Sequence, residues 1–363
     1  MYVHEKSDWP NFRWDNKSLA QQLAAVRHQQ GRLIGRMEGL GFELKREAVL
    51  CTITEDVLKT SEIEGEFLDW NQVRSSVARH LGMNVAGLKP ASRDIEGIVE
   101  MMLDATQKFN QPLTAKRLFS WHAAMFPTGR SGMHKILVGR WRKGSADVVS
   151  GPIGSERVHF EAPVANRLNS EMKTFLQWFE SETSIDPVLK AGIAHLWFVT
   201  IHPFDDGNGR IARAIADLAL ARCEQIPQRF YSMSAQIHKE RKGYYQMLER
   251  TQKGTMEITP WLIWFLDCLG NAINGAQMIL SIVLRKAKFW QAVAAIPINK
   301  RQHLILNRLL DGFVGKLTSS KWAKLAKCSQ DTAHRDITYL LKHGILTKDP
   351  AAGRSTNYSL VRF

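Results

Sequence analysis

Apolar side chains recur at helical spacing over most of this chain. Leu19, Leu23, Val26, Leu33, Met37 and Leu40 follow at intervals of three, four and seven, and Gly41 supplies a stop, which predicts an N-terminal helix. Ahead of it, Trp9-Pro-Asn-Phe-Arg-Trp14 has aromatics suited to anchor the terminus by burial. Leu118, Trp121, His122 and Met125 form a packing stripe on a second helix, Leu113 to Phe126, with Thr114 as its N-cap. Two more apolar helical patterns run from Val188 to Ile201 and from Ile211 to Cys223. Ala194, His195 and Phe198 form a core face on the first of them. The period breaks between Ile136 and Pro163. There Val148-Val149 and Arg157-Val-His-Phe160 flank a turn-rich Ser150–Ser155, a hairpin with a long loop. Near the end, Leu317 to Ala326 reads as a short helix and Cys328-Ser329 as a turn. Gln330 to His343 follows as a helix with Ala333, Ile337, Leu340 and Leu341 inward. A hairpin then runs from Gly344 over a tip at Ala351–Arg354 back to Asn357–Leu360. The expected fold class is mainly α with a small β-hairpin.

Length and charge sharpen this picture. A chain of 363 residues accommodates two to three domains with ample core. Its net charge is +14, and residues 285–363, with 15 Lys+Arg against 4 Asp+Glu, contribute +11 of it. That concentration sets the C-terminal end apart as a candidate partner for polyanions. The longest apolar stretch, Ile258 to Leu269, is broken by Asp267 and too short to span a bilayer. The charged first residues lack the apolar run of a signal peptide. Cys51, Cys223, Cys268 and Cys328 are scattered without Cys-x-x-Cys spacing, which implies a reducing compartment and no zinc. The expected location is the cytoplasm, without a membrane partner.

The chemistry concentrates at residues 202–213, His-Pro-Phe-Asp-Asp-Gly-Asn-Gly-Arg-Ile-Ala-Arg, on a loop that ends at a helix start. A helix N-terminus offers unpaired N–H groups and partial positive charge, a natural anion seat. Gly207 and Gly209 allow positive φ and close approach to a phosphate. Arg210 and Arg213, three apart, can face the same side and reach outward phosphates. Asp206 is a hard oxygen ligand of the kind that holds Mg²⁺ against phosphates. His202 has a side chain whose unperturbed pKa is near neutrality, as a general base requires.

These residues resemble the signature of the Fic (filamentation induced by cAMP) proteins, His-x-Phe-x-(Asp/Glu)-Gly-Asn-Gly-Arg-x-x-Arg, matched at every fixed position by His202, Phe204, Asp206, Gly207, Asn208, Gly209, Arg210 and Arg213. The resemblance implies transfer of AMP from ATP to a Ser, Thr or Tyr hydroxyl of a target protein or of the chain itself. His202 would deprotonate the hydroxyl and Asp206 would hold Mg²⁺ or Mn²⁺. Asn208 and the amides of Gly207 and Gly209 would meet the α- and β-phosphates, Arg210 the β-phosphate and Arg213 the γ-phosphate. Phe204 would anchor the loop in the core. The hairpin would be the family's flap, pairing with a target segment along Val158, His159 and Phe160; an ordinary surface ribbon is its alternative. Tyr244 and Tyr245 resemble the family's adenine wall, with a core pair as the alternative. Thr60-Ser-Glu-Ile-Glu-Gly65 fits the inhibitory pattern (Ser/Thr)-x-x-x-Glu-(Gly/Asn). Glu64 would pair with Arg213 and take the space of the γ-phosphate, placing the chain in the N-terminally inhibited class.

The implied organisation is a helical N-terminal domain at 1–105 with an inhibitory helix at about 55–66, and a catalytic core at 106–255. Connecting helices occupy 256–296 and a winged helix-turn-helix 297–363. Gln330, Thr332, His334 and Arg335 would sit near the start of the recognition helix. Lys321, Lys324, Lys327 and Arg354 would serve phosphates of DNA. A dimerising or target-docking module, giving a homodimer, is the alternative for this end. For the whole chain the alternatives are removal as well as addition of AMP, and a DNA-binding regulator with a weakly active core.

Overall fold

The computed structural model of the protein describes residues 1–83, 89–150, 157–310, 313, 315–349 and 356–361. It is mainly helical. The N-terminal half comprises α1 (Asn16–Glu38), α2 (Phe42–Ile63), α3 (Trp70–His80), α4 (Arg93–Gln107) and α5 (Ala115–Met125). Two antiparallel strand pairs follow, β1 (Arg130–Ser131) with β2 (His134–Lys135) and β3 (Asp147–Ser150) with β4 (Arg157–Glu161). Then come α6 (Leu168–Ser181), α7 (Pro187–Ile201), α8 (Asn208–Glu224), α9 (Met233–Lys239), α10 (Arg241–Gln252) and α11 (Thr259–Ala292). The C-terminal stretch has α12 (Lys300–Leu310), α13 (Ser319–Ala326), α14 (Gln330–Lys342) and the antiparallel pair β5 (Leu346–Lys348) and β6 (Tyr358–Leu360). Among the described residues no helix is long and apolar enough to cross a membrane.

Local chemistry explains the boundaries. Asp186 caps α7 by accepting from the Val188 amide, with Pro187 in the first turn, where its missing N–H costs nothing. Thr114 caps α5 as the sequence predicts, accepting from the Arg117 amide. Gly41 does not stop the first helix. α1 ends at Glu38 with Gly39 after it, and Gly41 lies in extended backbone ahead of α2. The motif helix starts at Asn208, three residues earlier than its apolar pattern suggests, because the left-handed Gly207 and the Asn208 side chain set the start instead.

One continuous apolar core runs from Leu19 to Val283, so the segments before and after residue 105 share it. α7 is its axis, buried throughout except at Pro187 and Lys190, and it packs along α8. The stretch read as connecting helices is a single helix, α11, about 50 Å long at 1.5 Å per residue. Its first half (Trp261, Leu262, Phe265, Leu266, Leu269) belongs to the main core, and its far end delivers Phe289 to a second, C-terminal core around Trp322, Ile337 and Leu340.

A buried polar cluster seats α2 beside α8. Arg229 donates to Asp217 (2.9 Å) and to Glu224 (3.1 Å), with its guanidinium 4.1 Å from the Tyr231 ring centroid. Asp56 of α2 accepts from Ser232 Oγ and from the Ser234 amide. Burial, with Asp56 adjacent, pushes the Asp217 carboxyl well above the usual carboxylate range.

Candidate active site

The loop at residues 202–207 is held from below by a stack of rings and from the side by an arginine. Phe204 is fully buried. His122 of α5 lies flat on it, with centroids 4.3 Å apart and planes 9° from parallel. The Gly139 amide donates to His122 Nδ1, so the ring proton sits on Nε2 and is donated to the Asp206 carbonyl at 3.2 Å. Burial lowers the His122 pKa to about 4, which keeps the ring neutral. The sequence pattern marks His122 as packing alone; the structure adds a backbone brace.

Arg142, which no pattern in the sequence singles out, is buried and, among the described residues, bonded only to backbone. Its Nε donates to the His202 carbonyl (2.8 Å), Nη1 to Gly144 (2.6 Å) and Nη2 to the Pro163 carbonyl, while its own amide donates to Pro203. It ties the motif loop to both roots of the β3–β4 ribbon.

Asn208 turns its side chain back onto the loop. Its Oδ1 accepts from the Phe204 amide (2.9 Å) and its Nδ2 donates to the Phe204 carbonyl (2.8 Å). The Asn208 side chain is thus engaged by the loop, and its backbone N–H at the start of α8 is the group it can present to an anion. Gly207 has φ +79, and a Cβ there would come within 2.9 Å of the Phe126 ring. The other glycine of the pair matters through space. A Cβ on Gly209 would lie 2.2 Å from Glu64 Oε1, so the carboxylate of Glu64 rests directly on the first turn of α8.

That carboxylate belongs to the residue capping α2, just before Gly65 at φ +86. Arg213 is 1% exposed. It donates from Nη2 to Glu64 Oε1 (2.6 Å) and to the Thr60 carbonyl (2.9 Å), and from Nε to Thr60 Oγ1 (2.7 Å). Its Nη1 is buried with no partner among the described residues. Thr60 opens the six-residue pattern noted in the sequence, and the structure gives that position a contact. Arg210, also buried, donates to Glu66 Oε2 at 2.5 Å and stands 5.2 Å from the Phe126 ring centroid. Burial raises the Glu66 carboxyl against the pull of Arg210.

His202 closes α7 in the left-handed region (φ 51, ψ 59). Its Nδ1 lies 3.2 Å from the Val199 carbonyl, which can only accept. The ring proton is therefore on Nδ1, and Nε2 keeps its lone pair. Burial lowers the His202 pKa below its ordinary value, outweighing the bond to Val199. The imidazole lines a cavity of about 750 Å³ with Glu64, Gly209, Tyr244, Tyr245 and Leu248. Tyr244 is buried, with its hydroxyl 2.8 Å from His195 Nε2. Tyr245 donates to the Ile63 carbonyl (3.2 Å) at the end of α2. His195 is a core residue as expected, its pKa lowered to about 3 by burial and the nearby Arg213. Asp206 accepts from the Gly207 amide and from Ser131 Oγ. Among the described residues no three His, Cys, Asp or Glu side chains cluster as a metal cage.

The β3–β4 ribbon borders the same cavity through Val148, Val149, His159 and Phe160. Val158 is 40% exposed. His159 Nδ1 is 2.8 Å from Glu249 Oε2, and Lys253 and His159 hold that carboxyl down at about 2. The Phe160 side chain faces inward, edge-on to Tyr2 and His4. The loop Gly151–Ser155 and the tip residue Arg354 lie outside the described residues. At the C-terminal end Lys321, Lys324, Lys327, Gln330, His334 and Arg335 are exposed, while Thr332 is half-buried.

Comparison with known proteins agrees with this geometry. The family model described as Fic/DOC family matches residues 112–220, and a domain of unknown function (DUF4172) matches residues 2–83. The chain is 31% identical over 172 residues to the protein adenylyltransferase fic-1 of Caenorhabditis elegans, covering 46% of this chain and 31% of that one. It is 34% identical over 105 residues to the protein adenylyltransferase Fic of Drosophila virilis, covering 28% and 20%. The match thus spans a third or less of these relatives. The fold resembles that of a Fic family protein from Desulfovibrio desulfuricans, with a TM-score of 0.52 and 20% identity over 95% of this chain and 96% of that one. It also resembles a Fic domain containing signaling protein from Bacteroides thetaiotaomicron, with a TM-score of 0.50 and 18% identity over 75% and 97%.

Replacing Arg142 by leucine should lower stability by about 3 kcal/mol, since the buried Pro163 carbonyl and the part-buried His202 and Gly144 carbonyls lose their donor at about 1–3 kcal/mol for a fully buried group. Denaturant unfolding reads this directly; an unchanged midpoint would show that the clamp is dispensable.

Proposed function

We propose, from the Fic/DOC-family domain that the chain carries at residues 112–220, that it transfers AMP from ATP to a hydroxyl side chain of a protein and that Glu64 restrains the reaction. The observation that carries this reading is the Glu64 carboxylate on Arg213 and Gly209, beside a neutral histidine whose Nε2 is free. The cavity is of the size usual for small-molecule sites. The adenine would lie toward Tyr244 and Tyr245, and the phosphates would run to the amides at the start of α8 and on to Arg210 and Arg213. His202 Nε2 takes the proton of the incoming hydroxyl, the hydroxyl oxygen bonds to the α-phosphorus, and the bond to the β-phosphate oxygen breaks to release pyrophosphate. Asp206 is a half-buried carboxylate, and a single such ligand suits Mg²⁺, which takes one or two carboxylates plus substrate phosphates. The ion would neutralise the charge that develops on the leaving diphosphate. An added strand along β4 would hold the target hydroxyl in line, with Val158 beside it.

The C-terminal module supports a second element of the reading. Helix, turn, helix and hairpin follow in that order around one small core, and the exposed cations of α13 and α14 fit a winged helix that binds duplex DNA.

His202→Ala should reduce transfer by about 10² to 10⁴ while ATP binding persists. Because burial lowers the His202 pKa, the acid limb of kcat/KM in the wild-type protein should fall below pH 6.5, the histidine being competent wherever it is neutral. An intact rate in the variant would remove His202 from the role of base.

Glu64→Gly should raise self-modification and tighten productive ATP binding. Hydrogen bonds to charged groups are worth about 1.5–3 kcal/mol, so freeing Arg213 corresponds to about a ten- to hundred-fold gain. Adding Arg213→Ala should abolish the gain. Mass spectrometry after incubation with ATP and Mg²⁺ measures both, and a double variant as active as Glu64→Gly would mean that Glu64 acts elsewhere.

Gel retardation of duplex DNA by the full chain should weaken with salt by about 0.9 in log affinity per phosphate contact per log unit. Lys324→Ala should weaken all sequences alike, whereas Arg335→Ala should flatten sequence preference. No retardation at micromolar protein would favour a dimerising or protein-docking module.

A further inference from the structure

Arg210, three residues before Arg213 on α8, is about as deeply buried. It lines a separate hollow of about 610 Å³ with Glu66, Arg93, Phe126, Arg130 and Ser131. Ser131 donates to Asp206, so this hollow abuts the carboxylate assigned to the metal. Three arginines line this recess together with the carboxylates of Glu66 and Asp94, so an anion entering it would compete with a carboxylate for these cations. Arg210 Nε is buried without a partner among the described residues. Among the described residues, the one hydrogen-bond acceptor on the Arg210 guanidinium is Glu66, through Nη1 at 2.5 Å.

Glu66 reaches this position through the turn that also presents Glu64. The helix ends at Ile63, the Glu64 amide donates to the Ser61 carbonyl, and Gly65 reverses the chain at φ +86. The Glu66 amide then donates to the same Ser61 carbonyl. One short turn thereby places two carboxylates on two arginines that are three residues apart on α8. The two contacts differ in depth: the side chain of Glu64 is 29% exposed and that of Glu66 43%.

We propose that Glu66 is a second anionic stopper, occupying at Arg210 the seat of the diphosphate end of the nucleotide, independently of Glu64 on Arg213. This rests on the reading of Arg210 as a phosphate ligand. The two stoppers act on adjacent parts of one ligand. Glu64 withdraws the arginine at its far end, and Glu66 neutralises the guanidinium that meets the diphosphate and the departing pyrophosphate. Removing Glu64 alone leaves Arg210 still paired.

Calorimetric titration of the full chain with inorganic pyrophosphate tests this apart from catalysis. Glu66→Ala removes the carboxylate, and Glu66→Gln keeps its shape without the charge. Since a partly exposed ion pair contributes modestly, pyrophosphate should bind about three- to five-fold tighter to each than to the wild type. Glu64→Gly combined with Glu66→Ala should bind pyrophosphate tighter than Glu64→Gly alone. Equal affinity of the wild type and both Glu66 variants, all folded by their melting transitions, would overturn the assignment. Tighter pyrophosphate binding with no AMP transfer from any variant would uphold Glu66 as a stopper and sink the transfer reading instead. Transfer by Glu64→Gly with pyrophosphate affinity indifferent to residue 66 would do the reverse.

Discussion

A guanidinium that is 1% exposed and cannot give up its proton must have an anion or a set of carbonyls beside it, and Arg213 sets that requirement for the whole N-terminal half of the protein. It stands on the second turn of α8, next to the first turn whose unpaired amides create positive potential. Thr60 and Glu64 answer the requirement, with a hydroxyl, a carbonyl and a carboxylate delivered by the last turn of α2. The apolar face and Asp56 seat α2 in the core, and the need of Arg213 accounts for the close approach of its last turn to Gly209. The same potential is what a phosphate chain would seek, so on the proposed function a carboxylate and a nucleotide would be alternative solutions to one electrostatic problem.

Around that pair, the protein keeps its imidazoles neutral. His122, His195 and His202 all have lowered pKa values, and burial is the leading cause in each case. Charging any of them would put a further cation into a wall that already holds Arg142, Arg210 and Arg213. Each ring then has a defined tautomer or partner: His122 props the loop, His195 meets the Tyr244 hydroxyl, and His202 faces the cavity with a free lone pair. An imidazole that is neutral, oriented and partly shielded can accept a proton without first losing one, which is what a base at this position needs.

The two cores are joined through the element that bears Glu64. Lys286 of α11 donates to Glu47 of α2 at 2.8 Å, and Glu47 also accepts from Arg74 of α3. Arg308 of α12 donates to Asn71 of α3 at 3.2 Å. The basic C-terminal module is therefore seated on the far end of the helix whose last turn reaches the active loop. At the opposite edge, Tyr2 and His4 pack against Phe160 while Glu249 holds His159, so the two-stranded ribbon, marginal on its own, is gripped on both faces.

The dozen residues from His202 to Arg213 were legible in the sequence because their chemistry is local: a loop, a glycine turn and a helix start need only neighbours along the chain. Helical periodicity likewise located α5, α7 and α14 within a few residues, since each buries one face or is apolar throughout. Glu64 was visible as a pattern whose partner had to be supplied by resemblance, and the structure places it on Arg213 across 149 positions. Arg142, the bracing role of His122, the inward turn of Phe160 and the Glu66 contact to Arg210 had no sequence signal. Each depends on which segments meet in space, and a side chain bonded to carbonyls of distant loops leaves no period or spacing behind. The inward turn of the Asn208 side chain was hidden for a related reason: a conformational choice between two nearby acceptors is decided by burial, and burial exists only once the helices have packed.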